Sequence, residues 1–413
     1  MLAATVLLAT TQTLTTGVAM QIMSRRKRGA WLARTVRIVQ LGRRCADVRH
    51  SAPAGPGIAR TGSGRTKRLV VSSAVALATL GGLGAGAAPA LAGGPPPVSF
   101  VREWGNPGAP NSYWPGAPSD QLGYPTGVAT DGPHIYVADW EDARVQKFAY
   151  GGGFLQSLWS SVPTPTYMGW WQPHDVALDS AGNVYASDPN LDRINVMSAT
   201  GAYLRSWGGF GSAPGQFNWP CGIAVDGAGA VYVADVLNNR IQKFSSAGAI
   251  LRTWGGPGAG TALGQFNKPC GVAVDSAGNL YVADSGNNRI QKLTSSGWLA
   301  WGTSGTLPGY FNNPQGIAVD RFGNVFVADT GNNRAQQFAS DGTFLQQWGG
   351  GPLSTGKGQF FSPTGVAVIA TAPYDPFARG TTIYLTQGGS DRVQEFWEGV
   401  SLVIHCAVAC GGP

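Results

Sequence analysis

From about residue 93 onward, short apolar runs of roughly five residues alternate with clusters of Gly, Asn and Ser, and the order of the runs itself repeats. Each unit opens with P-x-[GD]-[VI]-A, found at Pro125, Pro173, Pro220, Pro269, Pro314 and Pro363, spaced 48, 47, 49, 45 and 49 residues apart. In the third copy, Gly222 to Asp226 reads as a buried strand, and Val231 to Asp235, Arg240 to Phe244 and Ile250 to Trp254 follow as strands that alternate faces. Four short strands joined by tight turns make an antiparallel meander, and one such meander is too small to cover both of its own faces. Stacking six of them radially covers both. The pattern therefore predicts an all-β, six-bladed β-propeller of four-stranded blades. A solenoid with the same period would need capping repeats, and none is visible.

Ring closure leaves its own trace. Phe100-Val101-Arg102-Glu103-Trp104-Gly105 matches the last strand of a repeat, as in Tyr203 to Gly208, yet precedes the first copy. The strand around residues 99–105 is thus expected to complete the last blade, with the apolar tail Val400 to Ile404 as its competitor for that edge.

Composition agrees with a β body: 61 Gly and 27 Pro disfavour long helices, while 14 Trp, 12 Tyr and 16 Phe exceed what a disordered chain carries. The net charge of +7 is unevenly spread. Residues 1–92 hold 13 of the 29 Lys and Arg but one of the 22 acids, leaving 16 bases against 21 acids in the rest. Residues 60–92 run from Arg60, Arg65, Lys67 and Arg68 through the apolar Leu69 to Leu83 to Ala90-Leu91-Ala92, the anatomy of a secretory signal peptide cleaved after Ala92. Residues 1–59 form a basic extension, expected to reflect a start assigned too far upstream. The expected organisation is then a leader at 60–92, a propeller at 93–397 and a tail at 398–413. The mature chain should lack a stable membrane span, act as a monomer, and work secreted or in the cell envelope.

The runs Asn238-Asn239-Arg240-Ile241-Gln242-Lys243-Phe244, Asn287 to Leu293 and Asn332 to Phe338, with the preceding Ala-Asp pairs and the Gly-Gln-Phe at Gly215 to Phe217 and Gly264 to Phe266, resemble NHL repeats. The resemblance covers residues 100–397 and is strongest in copies three to five. It implies a six-bladed propeller of the secreted bacterial type, used chiefly for binding. Peptide-amidating lyases share such a propeller with a channel metal held by several histidines, but His134, His174 and His405 occupy unlike positions here. Streptogramin-inactivating lyases resemble a seven-bladed propeller and are no closer, and lactonase-like propellers need carboxylates that the first strands lack. RNA binding, as in tripartite-motif relatives, is carried by the resemblance alone and opposed by the acidic body.

Groups present in every copy do a job common to every copy. Asp139, Asp188, Asp235, Asp284 and Asp329 end second strands, Arg144, Arg193, Arg240, Arg289, Arg334 and Arg392 open third strands, and both sets are expected to tie turns. Trp104, Trp159, Trp207, Trp254, Trp301 and Trp348 are expected between blades. Function belongs where copies differ. The blade-to-blade connections share one end of the ring and carry Tyr113, Trp114, Trp170, Trp171, Phe210 and Tyr310, with Phe360 and Phe361, which mark the expected ligand face. At the same end Thr126, His174, Cys221, Cys270, Gln315 and Thr364 should ring the channel mouth.

His174, Cys221 and Cys270 are chemically able to hold zinc. Equivalent positions on neighbouring blades are nevertheless expected to lie farther apart than the ~7 Å between Cα atoms that a disulfide tolerates, so neither a shared metal nor a Cys221–Cys270 bridge is expected. Cys406 and Cys410 are the favoured pair if the tail bends, with a cross-link to another chain as the alternative. The expected function is non-enzymatic binding of a protein, peptide or envelope glycan, without a cofactor and with nucleic acid an unfavoured partner. The rival is a channel-centred metal-dependent lyase or hydrolase.

Overall fold

The structure is a computed structural model that describes residues 19–25, 31–37, 96–105, 121–158, 171–350, 356–370 and 379–400. The chain divides into two units, Met1–Leu91 and Ala92–Pro413. In the first, Ala19–Arg25 pairs antiparallel with Trp31–Arg37. Among the described residues no helix is long and apolar enough to cross a membrane. The leader expected at 60–92 and the residues after Val400 lie outside the described residues.

The second unit is a six-bladed propeller of four-stranded antiparallel blades. Blade 1 comprises Pro125–Thr130, His134–Asp139, Arg144–Ala149 and Phe154–Leu158. Blade 2 comprises Val176–Leu178, Val184–Asp188, Arg193–Met197 and Tyr203–Gly208. Blade 3 comprises Pro220–Val225, Val231–Asp235, Arg240–Phe244 and Ile250–Gly255. Blade 4 comprises Val272–Val274, Leu280–Asp284, Arg289–Thr294 and Gly297–Trp301. Blade 5 comprises Pro314–Val319, Val325–Asp329, Arg334–Phe338 and Phe344–Gly349. Blade 6 takes Pro363–Ala370, Arg379–Gln387 and Arg392–Val400 from one end of the chain and Val98–Gly105 from the other.

Burial explains why these sequences settle as strands. In blades 2 to 5 all five residues of the second strand are buried, because both faces meet a neighbouring blade. The outer strands are half-buried to exposed, most exposed in Ile250–Gly255. Between blades the tryptophans act as wedges. Trp207 of blade 2 packs on Tyr185 and on Phe244 of blade 3, and Trp301 of blade 4 packs on Phe338 of blade 5. Each ring also covers a turn glycine of the next blade, Gly248 and Gly342, where any Cβ would overlap the indole. Trp159 lies outside the described residues.

The recurring aspartates and arginines form one buried network per blade. Asp235 accepts from Arg240 Nε at 2.6 Å, Gln242 Nε2 at 3.0 Å and the Asn218 amide at 2.8 Å. Arg240 in turn donates to the Ser212, Ala213 and Gln216 carbonyls, at 2.6, 2.9 and 2.7 Å, tying the incoming connection to the blade. The Arg-to-Asp distance is 2.7 Å in blades 1, 4 and 5, and 3.6 Å in blade 2. Removing one partner of such a buried pair costs about 3–5 kcal/mol, because the other charge stays buried.

Closure uses the same chemistry with a substitute. Gln387 stands where the other blades have Asp, and Arg392 pairs at 2.9 Å with Glu103 on the N-terminal strand. That strand runs antiparallel to Arg392–Val400, with Gly105 opposite Arg392 and Trp104 opposite Val393, and Arg102 meets Glu395 at 3.1 Å. Residues 93–105 are thus predicted to hold the ring shut. Their deletion is expected to replace the cooperative denaturant transition with a broad, shallow one by tryptophan fluorescence. An unchanged midpoint and slope would contradict closure by this strand.

Candidate functional site

The first strands converge on the axis and leave a narrow channel of about 70 Å³, lined among others by Thr126, His174, Cys221, Cys270, Gln315 and Thr364. All six residues expected at the channel mouth are therefore brought together. Thr126 and Thr364 spend their hydroxyls on neighbouring backbone, donating to the Pro173 carbonyl at 3.4 Å and the Pro125 carbonyl at 3.2 Å. A second cavity of about 200 Å³ opens beside the channel and is lined by His174, Trp219, Cys221, Lys268, Cys270 and Gln315, with Val236, Ser285, Gly286 and Asn313.

The expected spacing of the cysteines needs correction. Cys221 and Cys270 have Cα atoms 5.3 Å apart and form a disulfide between blades 3 and 4. The inner strands come this close because the Gly222 amide donates to the Cys270 carbonyl at 3.0 Å, and a Cβ at Gly222 would strike that oxygen. His174 joins them from blade 2, with Cys221 Sγ 3.4 Å from its Nδ1. Packing around the imidazole pushes its pKa down to about 4, so the ring is neutral at physiological pH. Cys406 and Cys410 lie outside the described residues.

Asp175 adds a carboxylate to the channel that is not among the expected site residues. It occupies the third position of the repeat motif, where the other five copies have glycine, so the departure from the repeat was the available signal. Its carboxylate lies at the channel and accepts from the Val176 amide at 2.9 Å and the Ile223 amide at 3.0 Å. Burial pushes its pKa up to about 7 against those two hydrogen bonds.

On the loop face the aromatic residues divide. Phe210 is 73% exposed and Tyr310 39%. Trp171, expected on the same face, is 5% exposed and packs with Leu158, Val176 and Val184 instead, while Phe360, like Phe217 and Phe266, is buried beneath a connection. Aromatic content alone does not say which ring of a connection folds under. Tyr113, Trp114 and Trp170 lie outside the described residues.

Two further rings were missed. Tyr124 and Trp219 immediately precede the repeat proline and adopt left-handed backbone angles, φ 52° and 64°. Bulky residues rarely do so unless their surroundings hold them. Here the Tyr124 amide donates to Asp391 at 2.9 Å and the Trp219 amide to Asp192 at 2.8 Å. Lys268, Asn313 and Ser362 occupy the same position with the same latch, to Asn239, Asn288 and Asn333. Trp219 is 40% exposed and lies 6.1 Å from Trp140, which meets His174 edge-on at 5.6 Å. Leu237, Leu263 and Leu307 extend the exposed apolar set along the loops of blades 3 to 5. Across the ring, Glu141, Asp142 and Asp391 form an acidic side, where burial and then Asp391 and Asp142 push the Glu141 carboxyl up.

The NHL repeat model matches residues 122–148, 217–244, 266–293 and 311–338, on blades 1, 3, 4 and 5. No curated protein sequence matches the chain. Among solved structures, a protein of unknown function from Bacteroides thetaiotaomicron is similar at 15% identity and TM-score 0.51, covering 72% of this chain and 75% of its own. A gluconolactonase from Xanthomonas campestris matches at 14% identity and TM-score 0.49, covering 74% and 99%. Virginiamycin B lyase from Staphylococcus aureus matches at 14% and 0.47, covering 73% and 99%. At these identities the likeness extends to the fold alone.

The disulfide is checked by tryptic mass spectrometry of unreduced protein. Ser206–Arg240 is expected cross-linked to Thr253–Arg289, and Cys221 or Cys270 linked instead to Cys406 or Cys410 would contradict the arrangement.

Proposed function

We propose that this NHL-repeat six-bladed propeller is an exported, non-enzymatic binding protein that docks a polypeptide segment on the loops of blades 3 to 5. The observation that carries this reading is the arc of Phe210, Trp219, Leu237, Leu263, Leu307 and Tyr310, exposed on one end of the ring. Three aromatic rings and three leucines make up this arc, which suits apolar side chains of a partner better than the hydroxyl-rich faces of a glycan. The backbone beneath is rigid, since each connection is tied by an Asp–Arg–Gln network and Trp219 is latched to Asp192. A rigid apolar surface loses little entropy on binding.

Export rests on the leader-like residues 60–92 and agrees with a cysteine pair in bonding position, which persists in oxidising compartments. The channel-centred lyase or hydrolase is disfavoured by size: a channel of about 70 Å³ is far below the ~300–1,000 Å³ of a typical ligand pocket. The acidic body opposes RNA.

The test compares capture of envelope proteins and of envelope glycans by immobilised propeller carrying Phe210→Ala with Trp219→Ala, against Leu204→Ala with Leu251→Ala on the outer strands. Loss of at least about tenfold in affinity for one protein partner, confined to the loop-face pair, is expected. Equal capture by both pairs, or capture of glycan alone, would overturn the reading.

A further inference from the structure

Three consecutive blades place metal-ligating side chains at one position of the repeat, whereas the other three place Thr126, Gln315 and Thr364 there. One ligand atom from each of His174, Cys221 and Cys270 lies within 4.8 Å of the others. All three residues also line the 200 Å³ cavity that opens at the channel mouth.

We propose that, once the Cys221–Cys270 bond is reduced, these three residues form a zinc site at the mouth of the channel. Two thiolates and one imidazole are a donor set that zinc favours over harder cations. Their two negative charges balance the ion, so a largely buried site carries no net charge when filled. The cavity side is left for a fourth ligand, a water or a group of an incoming molecule. Cys221 lies in the first strand of blade 3, His174 and Cys270 lie just before the first strands of blades 2 and 4, and the Gly222-to-Cys270 backbone hydrogen bond keeps the two cysteines together whether or not the sulfurs are bonded.

The same pair of sulfurs cannot be bonded to each other and hold the ion as thiolates, so oxidation state decides between a cross-link and a metal site. With a phosphine as reductant, the S–S bond breaks, phosphorus takes an oxygen from water to become the oxide, and the two hydrogens of that water cap the sulfurs as thiols. Zinc then displaces both thiol protons, with no change in its own oxidation state.

The experiment uses the full chain with Cys45→Ser, Cys406→Ser and Cys410→Ser, which removes the cysteines outside the site. After phosphine reduction it is expected to bind one zinc per chain and release two protons per ion, and cobalt in its place should show thiolate-to-metal charge transfer. The oxidised chain should bind none. Adding Cys221→Ser and Cys270→Ser should abolish binding, and His174→Ala should weaken it at least tenfold. The cobalt spectrum needs neither of those variants, so a folding defect in them does not shield the proposal. Reduced chain that binds no zinc, binds cobalt without a thiolate band, or binds equally well without Cys221 and Cys270 would overturn it, and unchanged affinity in His174→Ala would remove the imidazole from the site.

Discussion

A buried carboxylate at the end of the second strand anchors each of blades 1 to 5, and the connection leading into the blade depends on it. Away from water, a charge there is tolerable only while an arginine and several amide donors surround it. Asp235 has Arg240, Gln242, Asn238 and the Asn218 amide. Because Arg240 and Gln242 also hold the carbonyls of the incoming connection, satisfying one charge fixes a loop that would otherwise be free. The sixth blade shows how strict the requirement is. With Gln387 at the carboxylate position, Arg392 receives Glu103 from the other end of the chain, so the interaction that completes the blade also closes the ring.

Much of this was legible beforehand for a physical reason. A repeat of 45 to 49 residues exposes its period directly, and the stray copy of an outer strand at Phe100 to Gly105 marked the closing strand without reference to any distance. Residues that serve every blade could be separated from residues that serve one. The spacing of Cys221 and Cys270 was not legible, because it depends on how closely two strands approach an axis. That approach is permitted by the missing Cβ of Gly222 and set by a backbone hydrogen bond. Nor could the sequence tell Phe210, exposed at the loop tip, from Trp171, folded under, since both are aromatic residues in connections of similar composition. Trp219 and Tyr124 escaped because their exposure follows from a left-handed backbone held by an aspartate of the preceding blade.

Chemistry gathers where the sixfold pattern fails. His174, Asp175, Cys221 and Cys270 replace the residues of the other blades around one side of the channel mouth, and Trp140 and Trp219 stand over them. The exposed apolar arc begins at the same place and runs across blades 3 to 5, opposite the acids of blades 6 and 1. A repeated scaffold supplies rigidity, and a few departures from it supply a surface with a direction.

The most direct measurement of that claim is hydrogen–deuterium exchange on the propeller with its captured partner. Backbone amides in 207–219, 256–268 and 302–313 are expected to slow on binding, while the turns at the opposite end, 226–229, 245–249, 275–278 and 320–323, exchange as before. Protection confined to those opposite turns would contradict the account.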